Sequence, residues 1–265
     1  MSDQQNNDKF TAKQRMREEI DSPFRKIRVV LFGFSTASAL VALYFSLLTL
    51  CKSFAGFSEV PPLETIAGDV AINVGAVLVC GFLTYRDVKA GEANLERIAQ
   101  GGKLASLRVA PAEGSSQKAL GTLRNDKRLV IALGGEEYIR DLAQSVLTVA
   151  ESLVRVDVAV VPVLIDSDDN VSVDKGRQLW REAQKDDAKA SIADHFVHFP
   201  LLAAPWADYI APEVATARSQ NFDPVTKGLG IYVKKNGRIL RRATGQPNWQ
   251  QFIGTMDLMD GNKNK

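Results

Sequence analysis

Sulfur and imidazole are scarce in this chain: two cysteines and two histidines occur in 265 residues. Cys51 and Cys80 form no CxxC pair and join no Cys/His cluster, so neither a redox motif nor a zinc site is written into the sequence. His195 and His198 stand three apart among apolar residues with no further ligand pattern near them, which favours half-buried structural histidines over a metal pair. There is no GxSxG, no HExxH and no phosphate-binding glycine loop. The acidic run 166–170, DSDDN, would need glycine and glutamate where Val171 and Arg177 stand to be an EF-hand loop, so it reads as a polar loop after a strand. Charge of one sign is also missing: 33 Lys and Arg face 31 Asp and Glu, and residues 86–265 hold 25 against 23, which excludes a dedicated nucleic-acid binder. No metal or cofactor is expected.

What the chain does have is apolar length. Residues 29–50 run for 22 positions without a charge, and at roughly 1.5 Å per residue such a helix crosses the roughly 30 Å hydrocarbon core of a bilayer. A second span is expected over about 66–85, with Pro61 and Pro62 just ahead of it, where proline suits a helix start and not its interior. Together, 29–85 reads as a transmembrane helical hairpin. Arg25, Lys26 and Arg28 precede it and Arg86 and Lys89 follow, whereas the connecting loop sets Lys52 against Glu59 and Glu64. Positive flanks place both termini on the cytoplasmic or organellar-equivalent side.

Within the second span Asp69 is expected to be an interfacial acid near the helix start, where a negative charge suits the helix dipole. Asn73, one turn deeper, is expected to bond across to the first helix. Gly33 with Ala37, and Ala71 with Gly75, are small residues four apart that would allow close helix approach or partner contact. The two cysteines would differ in depth by roughly 15–20 Å in an antiparallel hairpin, too far for a disulfide.

Outside the spans, residues 1–28 read as a polar, mobile tail with one short helix near 14–20. The tail lacks the Arg- and Ser-rich, acid-poor character of a transit peptide, so the sequence reads as a mature form or one needing no import signal. Residues 86–117 read as a short emergent helix ended by Gly101-Gly102, followed by a linker at 110–117. A soluble domain is expected over 118–260, with a tail at 261–265. Its strand RLVIAL precedes a Gly134-Gly135 turn and an amphipathic helix; a second apolar strand, 156–165, carries Pro162, which suggests an edge or a bulge. Later, LGIYVKKNGRILRRATG reads as a hairpin turning at Asn236-Gly237 in type I′ geometry, and a closing helix follows Pro247. A helical stretch at 206–220 is expected to be interrupted by Pro212. This order is that of a thioredoxin-like α/β domain. Its first strand-to-helix turn, LGGEEYIRD, has no cysteine, so thiol-disulfide chemistry has no nucleophile there. Lys234, Lys235, Arg238, Arg241 and Arg242 form a basic hairpin, either a solvated strand face or a contact for anionic lipid or an acidic partner.

Three stretches, SPFRKIRVVLFGFSTASA, PPLETIAGDVAINVGAVL and YRDVKAGEANLERIAQGGKLASLRV, resemble the Low Photosystem II Accumulation family over about residues 22–109. The closing GQPNWQQF, with Gly245, Pro247 and Trp249, resembles the C-terminal region of longer members. The resemblance implies a non-catalytic assembly factor of the thylakoid membrane, chloroplast or cyanobacterial, that partners photosystem core subunits or their assembly intermediates. It marks Pro61, Pro62, Asn73 and Gly75 as motif positions for helix packing. Plant and green-algal members carry N-terminal tetratricopeptide repeats, and no such repeat of about 34 residues occurs here. Two other readings stay open: a permanent auxiliary subunit of a photosynthetic complex, and a thioredoxin-like enzyme or small-thiol binder with a non-cysteine site.

Overall fold

The computed structural model describes residues 9–57, 60–112, 116–185 and 187–261. Glu59, residues 113–115 of the expected linker and residues 262–265 of the expected tail lie outside the described residues. The chain divides into two compact units, Met1–Gln100 and Gly101–Lys265.

The first unit is helical. Helix α1, Ala12–Asp21, opens with a capping box: the Thr11 hydroxyl accepts from the Gln14 N–H, and the Gln14 side chain accepts from the Thr11 N–H. The short helix expected in the tail is therefore present and longer. Helix α2, Arg25–Phe54, begins four residues before the expected span, and helix α3 runs unbroken over Leu63–Ser106. Both are long and apolar enough to cross a membrane. No residue of α2 is buried, unlike the core helix of a soluble protein.

Gly101-Gly102 does not end α3, against expectation. Each glycine costs a helix about 1 kcal/mol, but Leu104, one turn on, and Leu107, just past the helix end, are buried in the core of the second unit. Burial outweighs local propensity here. The expected linker likewise begins in strand β1, Arg108–Pro111, which pairs antiparallel with β2, Lys118–Ala119, and with β5, His198–Pro200. This small sheet was not anticipated.

The main sheet has the order β4-β3-β6-β7. Strand β3, Arg128–Gly134, pairs parallel with β4, Val158–Leu164, and antiparallel with β6, Leu229–Val233, which pairs with β7, Ile239–Thr244. A parallel pair joined through a helix, then an antiparallel hairpin and a closing helix, is the thioredoxin fold. The apolar runs of β3 and β4 are continuous because both faces are covered. Val130 and Ala132 point to a core completed by α4 (Glu136–Thr148), α6 (Val173–Gln184) and α10 (Trp249–Gly261). Leu129, Ile131 and Leu133 point to the other core, under α8 (Ala203–Ser219). The remaining helices are α5 (Ala150–Arg155), α7 (Ala190–Asp194) and α9 (Pro224–Lys227).

Pro162 sits, as its lack of an N–H requires, on the edge strand of this sheet. Val160, two residues earlier, turns its N–H outward to the Phe196 carbonyl, so Pro162 occupies an outward-facing position and removes no bond from the β3–β4 ladder. Pro212 does not interrupt α8. It lies on the exposed side, while Trp206, Ile210 and Val214 anchor both halves of the helix to the sheet. The β6–β7 turn is not type I′ either. Asn236 is not among the positive-φ residues; the Gly237 N–H returns to the Lys234 carbonyl at 2.8 Å and Gly237 alone takes φ +78°. That is the three-residue hairpin with a left-handed glycine.

Gly228, at φ +75°, holds the Tyr138 ring so closely that a Cβ would lie 2.0 Å from Cε2. Gly228→Ala is expected to destabilise the sheet domain by about 2–4 kcal/mol. The check is the melting temperature of the near-ultraviolet circular dichroism signal, which should fall well below that of the parent chain.

Candidate functional site

The charges at the base of the helical hairpin form its most ordered polar arrangement. Arg25 and Arg28 sit three apart near the start of α2, and Asp87 and Gly91 sit four apart on one face of α3. Arg28 Nε donates to Asp87 Oδ2 at 2.8 Å, and Arg86 approaches the other carboxylate oxygen at 3.6 Å. Arg25 makes a two-pronged bond to Glu18 of α1, 2.7 Å from Nε and 2.6 Å from Nη2. The Arg25 guanidinium lies directly on Gly91, where a Cβ would meet Nη1 at 2.0 Å. Any larger residue at position 91 displaces that arginine. Outside these, Lys26 pairs with Glu19, and Lys9 with Glu96 at 3.0 Å.

Both acceptors are buried: Glu18 is 2% and Asp87 3% exposed. The Arg28 hydrogen bond, reinforced by the charges of Arg28 and Arg86, holds the Asp87 carboxyl below its ordinary range despite the opposing effect of burial. A buried carboxylate stripped of its arginine would be left uncompensated, which is costlier than never having had the pair. From sequence, Arg25, Arg28 and Arg86 counted only as positive flanks. The missed signal was two arginines at i, i+3 facing an acid and a glycine at i, i+4 on the returning helix.

Along the hairpin, Asn73 Nδ2 donates to Ser46 Oγ at 3.0 Å, the inter-helix bond expected of it. Asp69 is exposed. The small-residue pairs do not bring the helices together: Ala37 and Ala71 are exposed, and a Cβ at Gly33 or Gly75 would meet nothing within 4 Å. Closer approach occurs at Gly81, whose Cβ position lies 3.8 Å from Thr36 Cγ2. Pro61 and Pro62 are exposed, and the Pro62 carbonyl accepts from the Thr65 and Ile66 N–H groups at the helix start. Both cysteines are free. Phe34, Val41, Phe45, Leu78 and Phe82 leave a broad apolar surface uncovered.

In the sheet domain the turn after β3 is closed. The Gly135 N–H donates to the Val225 carbonyl at 2.7 Å, and Tyr138 fills the space beside Gly134 and Gly228. Burial raises the Tyr138 phenol above its ordinary value, so it stays neutral. Its hydroxyl donates to the Gly245 carbonyl at 3.3 Å, and Gln246 Nε2 donates to the Tyr138 carbonyl at 2.9 Å. Pro247 is buried, and Trp249 Nε1 donates to Ser145 Oγ at 3.0 Å. Gly245 and Gln246 thus meet Tyr138, and Trp249 ties α10 to Ser145 of α4. Glu136 at the start of α4 is paired with Lys175 at 2.5 Å, which lowers its carboxyl pKa.

The basic hairpin is not one patch. Lys235 is paired with Asp157 at 2.7 Å, and Arg242 with Glu213 at 2.6 Å on the opposite sheet face. Arg241 stacks on the Tyr232 ring at 4.5 Å. Lys234 is half-buried and Arg238 is exposed at the turn. In the DSDDN loop, Asp166 accepts from the Asp168 and Asn170 N–H groups, and Arg218 clasps Asp169 at 2.7 Å. The two histidines differ: His198 is buried, with Nδ1 3.1 Å from the Phe196 carbonyl and its pKa lowered by desolvation, while His195 is exposed.

Gly91→Leu is expected to expel Arg25 and free α1, so that trypsin cleaves the detergent-solubilised chain at Arg15 and Arg17 several-fold faster than in the parent. The Arg28–Asp87 pair has a defined pH response. Because the folded Asp87 pKa is depressed, its contribution is complete above the ordinary value of 3.8 and fades only below it, as pH falls toward the folded value. Trypsin sensitivity of Asp87→Asn at neutral pH should therefore exceed that of the parent.

Among solved structures the chain is similar to a 2-Cys peroxiredoxin from Plasmodium vivax, at 11% identity and TM-score 0.39, covering 60% of this chain and 79% of that one. It is similar to a putative electron transfer protein from Aquifex aeolicus at 12% identity and TM-score 0.37, covering 58% and 93%. A third likeness is to peroxiredoxin Q from Xanthomonas campestris, at 10% and 0.35, covering 60% and 94%. The N-terminal part has a sequence-level match. Residues 10–88, which hold the hairpin together with Glu18, Arg25, Arg28 and Asp87, match the family described as Low psii accumulation1 / Rep27.

Proposed function

We propose that this chain is a non-catalytic, membrane-anchored factor in photosystem II biogenesis, acting in the thylakoid membrane by lateral packing against newly inserted core subunits. The observation that carries this reading is the coincidence of the family match with the hairpin. The same hairpin is fastened internally at its base and by Asn73, yet leaves Phe34, Phe45, Leu78 and Phe82 uncovered. An apolar surface in lipid gains nothing from burial as such, so partner choice there rests on fit. Gly33 and Gly75, with open space beside them, are positions where a partner helix approaches closely.

Orientation follows from the flanks: Arg25, Lys26, Arg28, Arg86 and Lys89 hold both termini on the stromal or cytoplasmic side. The sheet domain then stands in that compartment as a scaffold. Its β3–α4 turn offers glycines and Tyr138 where a thiol enzyme would need a reactive cysteine, which supports a binding role over a redox one.

The test is brief radiolabelling of membrane proteins in cells lacking this gene, followed by a chase on native gels. Core photosystem II subunits should be made slowly, or be made and stall before reaching larger complexes. Normal labelling and normal assembly would remove the proposal.

A further inference from the structure

A cavity of about 450 Å³ opens at the tip of the β6–β7 hairpin. Its apolar lining is Val233, Leu240, Phe252 and Met256, with the exposed Met259 at its edge. Its rim carries three cations, Arg128, Lys234 and Lys235, against one acid, Asp260. The internal pairs use up part of that charge. Arg128 is buried, donates to the Val156 carbonyl at 2.7 Å and bonds Asp260 at 2.5 Å. Lys235 is held by Asp157, whose carboxyl it lowers. Lys234 has no acidic partner among the described residues, and it lines a second small cavity beside Leu104 and Arg124 as well. Among the described residues the rim therefore presents one positive charge without an acidic partner above a pocket of thioether and aromatic carbon.

We propose that this cavity is a docking site for an acidic peptide segment carrying one large apolar anchor residue. The volume suits one such side chain with its flanks. Met256 in the lining and Met259 at its edge let it adapt to the anchor's shape. Lys234 meets a carboxylate beside the anchor, and the rim charge speeds encounter with acidic chains. At the rim the exposed amide of Asn125, and the amide nitrogen of Asn236 whose oxygen accepts from the Arg238 N–H at 3.0 Å, suit the polar groups of a peptide backbone, which a lipid acyl chain lacks. The site lies wholly in the sheet domain, so it stands whether or not the hairpin acts on photosystem subunits.

The experiment uses the full chain in detergent and a fluorescent peptide, Glu-Glu-Leu-Phe-Asp-Glu, read by anisotropy. Saturable binding is expected, weakening as salt rises from about 0.05 to about 0.5 M. A peptide with serines in place of Leu-Phe, and one with lysines in place of the acids, should each bind about tenfold more weakly or worse. Lys234→Glu, a change at a half-exposed position, should cost about tenfold as well, and Met259→Glu a comparable amount. Equal binding of all three peptides, or unaltered binding by Lys234→Glu, would overturn the proposal. So would displacement of the peptide by short-chain phosphatidylglycerol with the same dependence on Lys234, which would make the cavity a headgroup site.

Discussion

Two long apolar helices that turn back on each other bring charged residues side by side where their apolar stretches end. In this chain Arg25 and Arg28 start α2, and Asp87 and Arg86 end the apolar stretch of α3. Without Asp87 and Glu18 the arginines would repel Arg86 and each other. With them, each arginine has a carboxylate within hydrogen-bond reach, and each carboxylate is nearly sealed from water. Gly91 supplies the space that lets the Arg25 guanidinium lie flat on α3. Glu18 of α1 bonds Arg25 of α2, and among the described residues one further side-chain hydrogen bond, Asn73 to Ser46, joins α3 to α2.

The sheet domain solves a different problem with the same economy. A thioredoxin scaffold normally leaves space at its first strand-to-helix turn for chemistry. Here Tyr138 occupies that space, held by Gly228, by the Gly245 carbonyl and by Gln246. The C-terminal GQPNWQQF segment is thereby a lock for α10, with Trp249 reaching Ser145. At the other end of the sheet, where the β6–β7 turn meets the end of α10, a cavity of about 450 Å³ stays open.

Much of this was legible in the sequence. The two long apolar helices, the cysteine-free turn, the strand pair, the edge position of Pro162 and the final hairpin all follow from patterns local in the chain. What was not legible depended on distant partners. Gly101-Gly102 look like a helix end until Leu104 and Leu107 are seen to be buried beyond them. Pro212 looks like a break until its exposed side of α8 is known. The small residues Gly33 and Gly75 suggested a helix seam, yet the seam runs by Gly81 and Asn73, and those two glycines face open space. The clasp at the hairpin base is not a local pattern: its members read one by one as flanking charge, and only the fold pairs Arg28 with Asp87 across 59 residues of chain.

The most direct test of this account is a charge exchange at the base of the hairpin. Arg28→Asp and Asp87→Arg, made singly and together, would be compared for photosystem II accumulation in cells and for trypsin resistance of the purified chain. The account predicts that each single change abolishes both properties and that the double exchange recovers most of each, since the pair is restored with its polarity reversed. Full activity in either single variant, or no recovery in the double, would contradict it.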